Sequence, residues 1–283
     1  MSILFAIFLG LIQGLTEFLP VSSSGHLSIL QNFFGMSDIE QSHMLFDVML
    51  HLGTLISVFI VFRKDIAAII KELLAICGDI FKSKKQEIQE KAEKPKPARH
   101  LILMIIVATL PLFAILPIND YVEQLYYKTW FIGLALILTG CLLYISDKVV
   151  TGNKNEKNAT MLNALFIGCI QAVAVIPGIS RSGSTITAGL FCGCKRDFAV
   201  KFSFLLSIPA ILGANILSIG DALKAGIDAS LLPAYLLGTI VAAAAGCGAI
   251  KLVKLLTDKG KFGKFAYYCW AVGLITVIAS ILI

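Results

Sequence analysis

The sequence predicts an all-α polytopic membrane protein: about six transmembrane helices plus two inverted re-entrant helix hairpins, forming an inverted-topology repeat. Three observations predict it. The 283 residues are 57% hydrophobic and 15% charged, with a mean hydropathy of +0.85, whereas a soluble domain averages about 25% charged residues. Apolar runs of membrane length follow one another along the chain. The basic residues collect in some of the intervening loops and avoid the others.

A helix needs about 20 apolar residues to cross the hydrocarbon core. Runs at roughly 43–62, 101–118, 129–146, 202–219, 231–250 and 265–283 meet that need, and none has the alternation of a barrel strand. Residues 1–34 and 161–194 are also apolar but are broken by Pro, Gly and Ser. The first stretch is expected to be part of the mature fold rather than a signal peptide, because it lacks a basic n-region and carries Gln13 and Glu17 in its apolar run. The cysteines at 77, 141, 169, 192, 194, 247 and 269 have no C-x-x-C spacing and read as small buried hydrophobes.

Orientation follows from charge. Of the 24 Lys and Arg residues, 21 lie in 63–100, 147–160, 195–201 and 251–264. By the positive-inside rule these segments are cytoplasmic. Lys128 and Lys224 fall in opposite loops, and Arg181 lies inside a broken apolar segment. The stretch 82–100 is a mixed-charge, Pro-containing linker. No aromatics interleave its charges, so it reads as a solvated loop and nucleic acid is not an expected partner.

Two segments resemble each other. "GLIQGLTEFLPVSSSGH" (10–26) and "GCIQAVAVIPGISRSGS" (168–184) share Gly10/Gly168, Gln13/Gln171 and Gly25/Gly183, with Pro20/Pro177 after a one-residue slip. "LHLGTL" (50–55) aligns loosely with "LSIPAI" (206–211). The chain is thus expected to be one membrane domain over 1–283. Its first repeat spans about 1–118, with a cytoplasmic linker at about 63–100 inside it, and its second spans about 161–250. Span 43–62 ends in the basic loop, so residues 1–42 enter and leave from outside. Residues 161–197 have basic flanks and enter and leave from the cytoplasm. Inverted repeats of this kind bring broken-helix tips together near the midplane, where irregular backbone is tolerated only if it is buried or lines a cavity.

Polar residues concentrate at those breaks. Gln13 and Glu17 share a helix face, beside a Gly10–Gly14 pair suited to close helix contact. Pro20 ends that helix, and Ser22, Ser23, Ser24 and Gly25 lead into another near His26. In the second unit Ser180, Arg181, Ser182, Gly183, Ser184 and Thr185 do the same. Hydroxyls and free N–H groups at a helix start suit an anion, and a guanidinium is a planar fork for phosphate. Individually the serines could be caps, Glu17 a proton relay and His26 a core histidine. Converging, they supply a cation clamp, a nucleophile and a proton handler for phosphoryl transfer. Asp47 and His51, four apart, could support the site or pack helices. His43 and His100 look peripheral, and Asn215 is expected to bond a neighbouring helix.

At these residues the chain resembles the undecaprenyl-diphosphate phosphatase (bacitracin-resistance) family over its full length. The matching stretches are Gln13-Gly14-Leu15-Thr16-Glu17 followed by Pro20 to His26, then Pro177 to Thr185, and "FDVMLHLGTL" (46–55). The resemblance implies hydrolysis of undecaprenyl diphosphate to undecaprenyl phosphate and orthophosphate, which recycles the cell-wall lipid carrier and confers bacitracin resistance. It implies a divalent cation, Mg²⁺ or Ca²⁺, and essential roles for Glu17, His26 and Arg181, with Ser23 close to the chemistry. Position 13 is Gln where the family also uses Glu, which leaves one carboxylate for a metal held by Glu17 and Gln13. Ser22, Ser24, Gly25, Ser180, Ser182, Gly183, Ser184 and Thr185 are the expected substrate-binding residues.

The nucleophile is Ser23 or His26, and the residues do not choose between them. The expected partners are a polyprenyl diphosphate and membrane lipid, with a homodimer left open. The expected place is the bacterial plasma membrane, with the site facing out. A transporter that flips undecaprenyl phosphate is the rival reading. The type 2 phosphatidic acid phosphatases, whose motifs "SSSGH" and "SRSGS" echo, are excluded because no His follows Arg181.

Overall fold

At bilayer depth there is no water to satisfy a peptide group, so each apolar run closes its hydrogen bonds within a helix. The computed structural model describes residues 1–34, 44–80, 97–224 and 228–282. Its α-helices are α1 (Ile3–Phe18), α2 (Ser23–Phe34), α3 (Met44–Val61), α4 (Arg63–Ile80), α5 (Pro97–Thr109), α6 (Asn119–Tyr126), α7 (Thr129–Ser146), α8 (Met161–Val173), α9 (Arg181–Phe191), α10 (Arg196–Lys224), α11 (Leu232–Asp258) and α12 (Phe265–Leu282). Among the described residues there is no strand beyond one isolated bridge between Lys154 and Cys194. Six segments among the described residues are long and apolar enough to cross a membrane: Met44–Val61, Pro97–Tyr126, Thr129–Ser146, Arg196–Gly220, Ala229–Asp258 and Phe262–Leu282. The protein is therefore a multi-pass membrane protein. α1 and α8 are apolar but shorter.

Three differences from the sequence reading have physical causes. The run at 101–118 is the middle of a longer segment whose α-helix stops at Thr109, ahead of Pro111. Pro111 and Pro117 each open a 3₁₀ turn, because a proline cannot continue the ladder behind it. The stretch 63–100 contains α4, an amphipathic helix whose Ile66 is buried; residues 81–96, most of the charged linker, lie outside the described residues. Of the cysteines, only Cys194 and Cys269 are buried, whereas Cys77, Cys141 and Cys169 are exposed. A thiol is small and weakly polar, and the outer face of a membrane helix is itself apolar, so nothing drives it inward.

Small residues set the helix spacing. α1 lies along α11 through Gly10 and Gly14. A Cβ built on Gly14 would come within 2.5 Å of Ala242 O, and one on Gly53 of α3 within 2.5 Å of Thr239 O. Ser57 of α3 donates to Ala243 O at 2.8 Å. α7 and α12 meet the same way, with Gly273 against Gly133 O. Phe18, Phe62 and Phe204 form an aromatic core beneath the end of α1, Phe18 and Phe204 meeting edge to face at 5.4 Å.

The basic segments gather at one end. Lys201 bridges Asp65 (3.4 Å) and Glu156 (3.5 Å), Arg196 lies 3.9 Å from Asp147, and His100 Nδ1 is 2.8 Å from Glu156 O. At that end, outside the spans, burial pushes the Asp147 carboxyl above its ordinary range, against the pull of the Gly263 N–H and Arg196.

Candidate active site

Two helix breaks meet face to face, and they are built alike. α1 stops at Phe18 and the chain turns at Pro20. Ser22 then caps α2, its Oγ accepting from Gly25 N (3.2 Å) and lying 3.3 Å from Ser24 Oγ. α8 stops at Val173 and the chain turns at Pro177–Gly178. Ser180 then caps α9, its Oγ accepting from Gly183 N (3.1 Å) and lying 3.3 Å from Ser182 Oγ. Such caps satisfy one orphan N–H and leave others in the first turn pointing outward.

The second break is pinned to α7. Thr139 Oγ1 donates to Gly178 O (3.0 Å) and accepts from Ser180 N (3.2 Å). Gly178 has φ +90, and a Cβ there would sit 2.6 Å from Ile132 O, so both conformation and space require glycine. The two breaks touch: a Cβ on Gly25 would lie 3.0 Å from Gly178 Cα, and Ser182 Oγ donates to Leu19 O at 3.4 Å.

Glu17 is the hub. Its Oε1 accepts from Arg181 Nη2 across the gap at 2.5 Å. Its Oε2 accepts from Ser23 Oγ at 2.8 Å and from Gln13 Nε2 at 3.1 Å. Gln13 Nε2 also donates to His51 Nδ1 (3.1 Å), which itself lies 3.9 Å from Glu17 Oε2. The Glu17 and Arg181 side chains are 7% and 17% exposed. A buried carboxylate is tolerable only when paired and fully bonded, and this one accepts hydrogen bonds from three side chains on three helices. Two buried polar atoms at the hub have no partner among the described residues: Arg181 Nη1 and Gln13 Oε1. A cavity of about 50 Å³ opens beside them, lined by Thr16, Glu17, Ser22, Ser23, Ser24, Ala174, Ile179, Ser180 and Arg181. That is room for a few waters, each needing about 10–15 Å³.

Of the expected residues, Glu17, Ser22, Ser23, Ser24, Ser180 and Arg181 line this cavity. Gln13 stands behind Glu17. Gly25, Ser182 and Gly183 form the joint between the breaks. Ser184 is buried in the first turn of α9, and Thr185 turns to α10, where its Oγ1 lies 2.6 Å from Ser203 Oγ. His26 is not among the cavity-lining residues: its Nδ1 meets Ser22 O and its Nε2 meets the Tyr268 hydroxyl, both at 2.8 Å.

His51 joins the hub more closely than its sequence placing suggested, and Thr16 and Tyr268 were not singled out at all. Thr16 is one residue from Glu17, which is the signal that could have found it. Tyr268 contacts its partner across 242 residues, and nothing local marks it. Asn215 Nδ2 has no partner among the described residues. His43 lies outside the described residues.

The family model described as "Bacitracin resistance protein BacA" matches residues 6–275. Proteins named undecaprenyl-diphosphatase match along nearly their whole lengths. The one from Alkaliphilus metalliredigens is 41% identical over 278 residues (98% of each chain), and that from Halothermothrix orenii 42% over 281 residues (99% of each). The one from Desulforapulum autotrophicum is 44% identical over 277 residues, covering 96% of each. With both motifs folded into one buried hub and nearly every residue matched, the chain belongs to the bacitracin resistance protein BacA family.

Proposed function

We propose that this protein hydrolyses undecaprenyl diphosphate to undecaprenyl phosphate and orthophosphate, recycling the lipid carrier of cell-wall synthesis and conferring bacitracin resistance. One observation carries the reading at the level of residues. Glu17 joins the Ser23 hydroxyl of one break to the Arg181 guanidinium of the other, at a cavity that all three residues line.

The terminal phosphate takes the place now held by the Glu17–Arg181 contact and fills the cavity there. Arg181 offers it a fork, and the N–H groups of the first α9 turn add fixed dipoles. Ser23 Oγ attacks the terminal phosphorus. Its proton passes to Glu17 Oε2, already its acceptor at 2.8 Å, and the bond from phosphorus to the bridging oxygen breaks, releasing undecaprenyl phosphate. Water then attacks the phosphoserine, giving orthophosphate and restoring the hydroxyl. His26 is less suited to attack, because both its ring nitrogens are engaged. It belongs to the site as a neighbour of Ser23 on α2.

A divalent cation, Mg²⁺ or Ca²⁺, fits the hub. The Gln13 amide meets Glu17 Oε2 through its Nε2 and carries a buried, unpartnered Oε1, and amide and carboxylate oxygens are both hard donors. Glu17 and Gln13 would hold it, with diphosphate oxygens and water as further ligands; among the described residues no three His, Cys, Asp or Glu side chains cluster for a metal. When bound, the cation neutralises charge on the diphosphate.

The two breaks are read as re-entrant hairpins entering from opposite sides, with the cavity facing out and the polyprenyl tail leaving sideways into lipid. The gathering of basic segments at one end supports that sense. In intact cells with native accessible cysteines removed, Ser24→Cys should react with an impermeant thiol reagent and Lys85→Cys should not; the reverse pattern would overturn the orientation. The activity itself is tested by orthophosphate release from undecaprenyl diphosphate by the purified protein in detergent, where no second compartment exists. No release there would refute the hydrolase reading.

A further inference from the structure

The His26 ring is held on three sides. Nδ1 lies 2.8 Å from Ser22 O, and a carbonyl oxygen can only accept, so Nδ1 carries the proton. In the neutral ring Nε2 is then a bare lone pair, and the Tyr268 hydroxyl, 2.8 Å away, donates to it. The two rings also stack, with centroids 5.6 Å apart and planes 7° from parallel. Ser22 is the one described non-glycine residue with positive φ (69). That left-handed conformation costs about 1–2 kcal/mol. It persists while Ser22 O accepts from both the backbone N–H (3.2 Å) and the ring of His26. Tyr268 reaches the ring from α12, a helix that contributes nothing to the cavity lining.

We infer that Tyr268 is a positioning residue for the reaction. Its hydroxyl and ring face, together with the Ser22 carbonyl, hold His26 as the Nδ1–H tautomer in a single orientation. Which ring nitrogen carries the proton is set by what the other one meets. An imidazole released at Nε2 can turn over and move its proton, so its hold on the Ser22 carbonyl, in the turn that leads into Ser23, would become a mixture of states. The inference rests on the reading that His26 belongs to the hydrolytic site.

The test uses the full-length protein in detergent with ¹⁵N-labelled histidine rings, the His26 signal being the one lost in His26→Gln. The wild type should show the Nδ1–H form. Tyr268→Phe keeps the stack and removes only the hydroxyl. It should move a measurable fraction of His26 to Nε2–H and lower kcat for phosphate release about tenfold, the scale seen when a histidine's outer partner is lost, while KM stays within about twofold. Wild-type kcat in Tyr268→Phe overturns the inference, as does a lowered kcat with an unmoved tautomer. An Nε2–H signal in the wild type overturns it even if the variant folds poorly. Unchanged kcat in His26→Gln would instead sink the placing of His26 in the site, and leaves the tautomer result standing by itself.

Discussion

The two helix breaks share a frame and differ in cargo. Ser22-Ser23-Ser24-Gly25-His26 and Ser180-Arg181-Ser182-Gly183-Ser184 repeat the same capping bond and the same serine–serine contact to within about 0.1 Å. Between the caps, Ser23 stands where the other copy has Arg181. After the glycine, His26 stands where the other has Ser184. One turn before the caps, Glu17 of α1 corresponds to the apolar Val175. The shared frame supplies two polar helix starts, with the hydroxyl, carboxylate and imidazole at one and the cation at the other. Two like breaks would have put like charges face to face, which costs energy at this depth. Two unlike breaks neutralise each other and leave a polar gap.

The comparison breaks most severely at its hub. Glu17→Gln keeps the shape but removes both the charge facing Arg181 and the proton acceptor of Ser23, so phosphate release should fall about a thousandfold; a loss under tenfold would remove Glu17 from the chemistry. Arg181→Lys keeps the charge but turns the fork into a point. It should cost more than about tenfold, or 1.4 kcal/mol of barrier, and near wild-type turnover would make the cation merely structural. Gly178→Ala strikes the scaffold. The added methyl meets Ile132 O at a φ of +90, so the protein should lose about 1–3 kcal/mol, read as a lowered thermal midpoint in detergent. Gly25→Ala, whose methyl would meet Gly178 Cα at 3.0 Å and Ser22 Oγ at 3.2 Å without a positive φ, should cost less. The mildest test sharpens the likeness itself: Ser22→Ala and Ser180→Ala each remove one cap and should each cost about 1 kcal/mol, equal to within about 0.5. A large inequality would mean that the two caps are not equivalent.

The hub was legible in the sequence where its parts are close in the chain. Gln13 and Glu17 announce a shared face by their spacing, and the serine-rich turns announce caps by their composition. The pairing of Glu17 with Arg181 needed the repeat, since the residues are 164 apart. His51 and Tyr268 were not legible in this way. His51 was marked only as a possible support beside Asp47 and Tyr268 not at all, because their polar partners lie 38 and 242 residues away. Helix α4 was hidden for a different reason. Its charges dominate a hydropathy window, while Ile66 and its neighbours cover only one side. The exposed cysteines show where soluble-protein intuition fails, because burial and apolarity separate once the solvent is lipid.

α11 carries the consequence of the small-residue contacts furthest. Gly238, Ala242 and Gly246 meet α1, α3 and their side chains at backbone distance, whereas Leu236, Ile240 and Leu252 of the same helix are exposed. The helix therefore has two mutational histories in one strand of sequence. On the inner line even a methyl group displaces the rod that carries Glu17, so substitutions there should be purged regardless of chemistry. On the outer line any residue that dissolves in hydrocarbon will serve, and variation should accumulate freely. A saturation library over α11, selected for growth on bacitracin, should return tolerance with a helical period, and a flat profile would show that the contact row does not govern what this helix can become.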